Sequence, residues 1–137
     1  MAYASAADFI AAFGESEWLQ LTDRDRDEIT DTGVGTAALE TASSIVDGYA
    51  SGIYALPLNV VDVVIRQITL DLARWILSGN EASDRVTEGY KEANRRLNDI
   101  ASDKLKLTAT RDSDASAAGM AYSEPSAVFT RQPTYVF

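Results

Sequence analysis

The chain contains neither cysteine nor histidine. Without cysteine there is no disulfide and no thiolate nucleophile. Without histidine there is no Ser–His–Asp relay, and without either there is no Cys/His zinc site. Carboxylates, lysine and tyrosine are the acid–base groups that remain. The expectation is a protein that is not an enzyme and uses no cofactor. A cysteine-free chain suits a reducing cytosol and an extracellular particle equally well. Long apolar runs are also missing. The most apolar stretch, residues 59–77, carries Asp62, Arg66, Gln67, Asp71 and Arg74, too many polar groups for lipid. The N-terminal segment lacks a basic region and a long apolar core, so no signal peptide is expected.

Basic residues are scarce in one half only. Residues 1–64 hold eleven acids against Arg24 and Arg26, a net of −9, whereas residues 65–137 hold ten of each sign. An acidic half argues against binding driven by phosphate contacts, which needs clustered lysine and arginine. It serves solubility, or it faces DNA that slides past without being held.

The 137 residues fit one compact domain with an arm. Ser5 with Asp8 three residues on reads as a capping box. Phe9, Ile10, Ala12 and Phe13 follow, and Gly14 stops that helix. A second helix covers Glu15 to Leu21, and residues 22–35 read as an acidic loop. Thr36 is placed as the cap of a third helix running to about Tyr54, with Leu39, Ala42, Val46, Ala50 and Ile53 as its buried stripe. Asn59 is placed as the cap of a fourth helix, about Val60 to Leu77, apolar on two faces. Its polar strip offers the pairs Asp62–Arg66 and Asp71–Arg74. Ser83 starts a fifth helix whose seam is Val86, Tyr90, Ala93, Leu97 and Ile100. Leu105, Leu107 and Ala109 alternate with polar residues, which suggests a short strand. The fold class expected is mainly α: a compact bundle of four to five helices over residues 1–103, then an extended C-terminal arm, residues 104–137, with short β or extended segments.

The segment Ile45–Leu58, IVDGYASGIYALPL, joins the third helix to the fourth. Gly48 and Gly52 lie four apart, and glycine inside a helix costs about 1 kcal/mol relative to alanine. The expectation is that another backbone approaches there. Tyr49 and Tyr54 have two open readings, burial in the core or a place in a subunit interface. The arm ends in Val128, Phe129, Arg131, Tyr135, Val136 and Phe137, with Pro125 and Pro133 favouring extended backbone. Such an aromatic arm most simply docks on another chain, by strand addition or aromatic insertion; the alternative is that it folds back on its own domain.

Asp23, Asp25 and Asp27 look like the start of a calcium loop. Calcium would need glycine at the sixth position and a bidentate acid at the twelfth, and those positions are Glu28 and Val34. Arg24 and Arg26 add opposing charge, so a solvated acidic loop is expected and no bound metal. Asp27 and Asp31 make a carboxylate pair with no evident apolar pocket to shift a pKa. Gly33-Val-Gly35 lacks the phosphate-cradling pattern and reads as a turn.

The order of these blocks resembles a known family. A segment beginning AYA and reaching DFIAAFGESEWLQLTDRD, then IVDGYASGIYALPL, LDLARWIL, GYKEANRRLNDIA and a terminal VFTR are similar to phage Mu-type neck proteins. That family is related in fold to the head–tail connector, or adaptor, proteins of long-tailed phages. The resemblance implies a virion protein made in the host cytoplasm and placed in the neck, at the head–tail junction. It implies a homo-oligomeric ring of about twelve copies, a dodecamer, closed by head-to-tail contacts. The ring would sit below the portal protein, extend the DNA channel without binding DNA specifically, and dock the tail terminator or stopper protein. A stopper or terminator role, or a small acidic DNA-mimic binder, are the alternatives. The acidic loop departs from the family's glycine-containing run, and Ile53 stands where the family often has arginine.

Overall fold

The computed structural model describes residues 2–112, and the aromatic positions from Val128 to Phe137 lie outside them. Five α-helices and one 3-10 turn make up the architecture, with no named strand among the described residues. They are α1 (Ala6–Phe13), α2 (Glu15–Thr22), α3 (Val34–Ala50), α4 (Val63–Ser78) and α5 (Asp84–Ala101), with the 3-10 turn Gly79–Glu81 between the last two. The mainly α expectation holds. No helix among the described residues is long and apolar enough to cross a membrane.

Helix α1 begins as its sequence predicts. The Ser5 side chain accepts from the Asp8 N–H and the Asp8 carboxylate accepts from the Ser5 N–H. Each bond satisfies an N–H that the helix leaves orphaned. Gly14, at φ +101°, then breaks the chain sharply into α2. The break turns Phe9 towards Phe13 and Trp18, with ring centroids 4.9 and 5.1 Å away. Phe9 is fully buried at the centre of this cluster.

Helices α3, α4 and α5 pack side by side as the main layer. Ala38, Leu39, Ala42, Val46 and Ala50 of α3 meet Ile65, Ile68, Leu72 and Ala73 of α4, and α5 adds Ala93, Leu97 and Ile100. Small residues on α3 bring its backbone near α4, while larger aliphatics on α4 fill the space between. Ser83 caps α5 as expected, accepting from the Val86 N–H. Trp75 and Tyr90 stack at 4.3 Å between α4 and α5.

Helix α2 is tied to this layer by an ion pair. Arg74 of α4 donates to Glu17 through Nε and, at 2.8 Å, through Nη2. The same guanidinium lies 4.2 Å from the centroid of the Phe13 ring. A bidentate, partly buried pair backed by a ring is the geometry in which arginine outperforms lysine.

Several boundaries and pairings differ from the sequence reading. Helix α3 starts at Val34, not after Thr36, because Gly33 adopts φ +83° and turns the chain into the helix. Its α-helical part ends at Ala50, and a turn carries the chain to Tyr54. Helix α4 starts at Val63, with Asp62 and not Asn59 at its cap position. The side chains of both Asn59 and Asp62 are drawn to residues 108–110 instead. The ion pair expected for Arg66 with Asp62 is replaced by one with Asp8 at 3.8 Å. Arg74 pairs with Glu17, while Asp71 accepts from Gln67 at 3.2 Å.

The glycines also divide differently. Nothing among the described residues comes within 4 Å of where a Cβ on Gly48 or Gly52 would sit, so the expected close backbone approach is not found among them. Gly35 is the tight position: a Cβ there would fall inside the Trp18 indole. Gly35→Ala is therefore expected to lose about 1–3 kcal/mol, the cost of overpacking against a ring. Gly48→Ala is expected to gain about 0.5–1 kcal/mol from helix propensity. Urea unfolding followed by circular dichroism measures both, and equal effects of the two changes would contradict this assignment.

Candidate assembly surface

Three of the four large hydrophobic side chains exposed among the described residues lie around the connection between α3 and α4, residues 51–62. Ser51, Ile53 and Tyr54 still donate back to α3; beyond them the segment leaves helical geometry, so its backbone groups need partners from elsewhere. Two parts of the chain supply them. From the N-terminus, the Tyr3 hydroxyl accepts from the buried Leu58 N–H at 3.1 Å and donates to Asp47. Tyr3 is itself held by its N–H, which donates to the buried Ser43 hydroxyl at 2.8 Å. Burial, then the bond to Asp47, push the Tyr3 phenol up to about 12.

From the other side, residues 105–112 run along the connection. Ala55 N–H donates to Thr110 O at 3.0 Å, and Asp112 N–H donates to Ile53 O at 2.8 Å. Asn59 receives the Thr110 N–H and returns a bond to its hydroxyl. Asp62 receives the Thr108 N–H at 2.7 Å. The alternation of Leu105, Leu107 and Ala109 does set their inward direction. The expected strand is absent because most of its partners are side chains, leaving one bridge between Tyr54 and Arg111. Arg111 also grips Asp103 through both terminal nitrogens, at 3.1 and 2.9 Å. That contact, and then Lys106, hold the Asp103 carboxyl below its usual range.

Tyr54 occupies the centre of this clasp. It is buried, and its hydroxyl accepts from the Leu107 N–H at 2.7 Å. Within the chain it is a core residue. Tyr49 is half-buried against the core edge. The outer side of the connection is apolar: Leu56, Val60 and Val63 are all exposed, with Leu58 buried beneath them. The second apolar face expected on α4 is thus covered at Leu70 and Leu77 and bare at Val60 and Val63.

The acidic loop lies at the other end of α4. Asp23 and Glu28 border a groove closed by Ile76, Leu77 and Glu81. Carboxylate oxygens of Asp23, Asp25, Asp27 and Asp31 all lie within 4.8 Å of one another. The sequence reading named the first three together but placed Asp31 only in a pair with Asp27. Each carboxylate also receives backbone N–H groups, including Glu28 to Asp23 at 2.7 Å and Arg24 to Asp31 at 2.6 Å. Desolvation acts against it, but the N–H groups of Glu28 and Asp27 outweigh that and hold the Asp23 carboxyl low. Its hydrogen bond with Asp23, followed by desolvation, pushes Asp25 up. Glu28 stands where a calcium loop has glycine and takes the left-handed conformation itself, at φ +69°. Val34, at the twelfth position, is the first residue of α3 and offers no carboxylate.

A family model described as "Bacteriophage Mu, Gp36" matches residues 3–124. The chain belongs to the bacteriophage Mu Gp36 family. A Mu-like prophage FluMu protein gp36 of Haemophilus influenzae is 35% identical over 77 residues, 56% of this chain and 55% of that protein. The matched part thus spans about half the length of that relative. Gene product J of Escherichia phage Mu is 28% identical over 101 residues, 73% of this chain and 72% of that protein. This chain is accordingly a phage-type protein with an all-α described body.

In this Gp36-family chain the sequence reading missed Tyr3, Asn59 and Asp62 as the residues that hold the connection. Their partners lie 46 to 55 positions away along the chain, and no local pattern encodes that. Tyr3→Phe leaves the buried Leu58 N–H without its acceptor, so stability is expected to fall by about 1–3 kcal/mol. The phenol's raised pKa adds a pH signature. Its contribution is complete below pH 10, the unperturbed value, and is lost as pH rises towards 12. Denaturant titrations between pH 8 and 12 should therefore show the two proteins converging at the alkaline end.

Proposed function

We propose that the chain is a structural subunit of the head–tail connector of a tailed phage, without enzymatic activity. In this reading copies form a closed ring below the portal protein, continue the DNA channel, and present a platform to the tail terminator or stopper. The observation that carries the reading is membership of the Mu Gp36 family across residues 3–124. Family membership supports a phage structural role, and the connector assignment within it is our inference from the resemblance noted in the sequence.

Physical features support it. The body is a helical layer whose α3–α4 connection is clasped on both sides, which suits a part that must hold shape under load. Exposed aliphatic side chains occur at the α3–α4 connection and at the acidic loop, and a ring requires two different patches on each subunit. The first half of the chain is strongly acidic, and phosphate at one charge per roughly 1.7 Å of duplex is repelled by such a surface. The aromatic C-terminal segment, residues 123–137, is assigned to docking on a neighbouring chain.

The test is stoichiometry in particles. Purified tailed particles should contain this chain at a fixed, ring-like ratio to the portal protein, measured by quantitative mass spectrometry. Its absence from particles, or a variable trace amount, would overturn the connector reading. Removing residues 123–137 should leave a folded monomer but give particles with unstable or empty necks. Full, stable necks from the truncated chain would refute the arm's docking role.

A further inference from the structure

Four large hydrophobic side chains stand exposed among the described residues: Ile29, Leu56, Val60 and Val63, at 66, 42, 39 and 77% exposure. Ile29 belongs to the acidic loop, whereas the other three gather along the clasped connection. Each of those three directly follows a residue that is bonded to the clasping segment. Ala55 N–H donates to Thr110 O at 3.0 Å, Asn59 exchanges bonds with Thr110, and Asp62 accepts from the Thr108 N–H at 2.7 Å. Leu56, Val60 and Val63 thus border residues 108–110. Between Val60 and Asp62, Val61 lines a groove of about 430 Å³ with Ala4, Thr36 and Leu39. The patch therefore combines bare aliphatic side chains with a hollow beside them.

The described chain ends at this same edge. Asp112 N–H donates to Ile53 O at 2.8 Å. Four positions separate Asp112 from Thr108, a span of roughly 14 Å at full extension, so the chain leaves the described body close to the patch. Residues 113–127 are for the most part small or polar, and Val128, Phe129, Tyr135, Val136 and Phe137 come after them. Sixteen positions lie between Asp112 and Val128, enough for about 24 Å along a helical course or about 55 Å along an extended one. Reach is no obstacle to a return onto the patch. A tether of this length holds a segment at a local concentration on the order of millimolar. Below that subunit concentration, the segment fills the patch of its own chain before that of a second copy.

We infer that in the free subunit residues 128–137 seat on Leu56, Val60 and Val63 of their own chain, with an aromatic ring in the groove beside Val61. Burial of aliphatic and aromatic surface drives the contact. The segment then acts as a cover that keeps this patch out of water until assembly. Docking on a neighbouring chain, the role assigned above, requires the segment to leave its seat first. Leaving frees segment and patch together, so two assembly surfaces appear in one step. The cover is a property of the unassembled chain and does not depend on the connector reading.

The sequence has no cysteine, so engineered pairs report the contact without background. Val63→Cys is combined with Phe129→Cys or with Tyr135→Cys in the full chain. Thr41→Cys, exposed on α3 and roughly 15–20 Å along the chain's helical course from Ile53, is combined with the same two as a control within equal reach. Circular dichroism verifies that the helical content is unchanged. Dilute protein is oxidised mildly, and closure is followed by loss of free thiol and by mobility on a non-reducing gel. At least one Val63 pair should close within the monomer about tenfold faster than its Thr41 counterpart, at a rate independent of protein concentration, because a seated segment holds the α-carbons within bridging range. Adding Val60→Asp to that pair should bring its rate down to the control. Val63 pairs that close no faster than the Thr41 pairs would overturn the proposal. So would disulfide-linked dimers in place of closed monomers, which would seat the segment on a second copy. Neither result alters the ratio to the portal protein in particles, which tests the connector reading separately.

Discussion

The structure depends on satisfying the backbone of residues 51–62. Two long helices lie side by side, and after Tyr54 the chain between them abandons helical hydrogen bonding until Val63. An unpaired N–H in a buried position costs about 1–3 kcal/mol, so the segment would not hold its course unaided. Its partners come from both flanks, Tyr3 near the start of the chain and residues 107–112 beyond α5. The clasp therefore couples the first described residues to the last. It also fixes which side of the connection faces outwards, and so leaves Leu56, Val60 and Val63 bare. The same bonds that close the fold thus leave an apolar surface uncovered among the described residues.

A second constraint acts at the opposite end of the layer. Trp18 lies over Gly35, and Phe9 fills the angle formed by the Gly14 break. The α1–α2 hairpin is thereby wedged against the start of α3, while the Glu17–Arg74 pair ties it to α4. The acidic loop spans the gap between α2 and α3, so its position is set by these contacts and its shape by its own aspartates. Both ends of α4 thus carry surface features held in place by packed helices.

Local signals in the sequence were legible and long-range ones were not. The Ser5–Asp8 capping box, the Gly14 break, the Ser83 cap and the α5 seam all use residues within a few positions of one another. Each could be read from spacing alone. The placing of Asn59 as a cap failed because Thr110, 51 positions away, claims its side chain. The glycine reading failed for a related reason. Spacing singled out Gly48 and Gly52, but crowding depends on what stands opposite, and only Gly35 faces a ring. Alternation correctly gave the inward side of Leu105, Leu107 and Ala109, yet it could not show that side chains would replace a neighbouring strand. For the acidic run, sequence supplied three of the four clustered aspartates. Asp31 joins them through the fold of the loop, its N–H bonded to Thr22 O.

The net charge of the first half divides once the fold is known. Glu17 is neutralised by Arg74, Asp8 faces Arg66, and Asp47 accepts from Tyr3. The acid that remains without a cationic partner is concentrated in the loop, together with exposed Glu15 and Glu40. Charges act over a Debye length of about 8 Å at physiological salt, so each exposed group acts mainly on what lies close to it. The acidic half is therefore not one uniform wall: part of its charge is balanced inside the fold, and most of the rest is gathered in one loop whose own backbone N–H groups bind it.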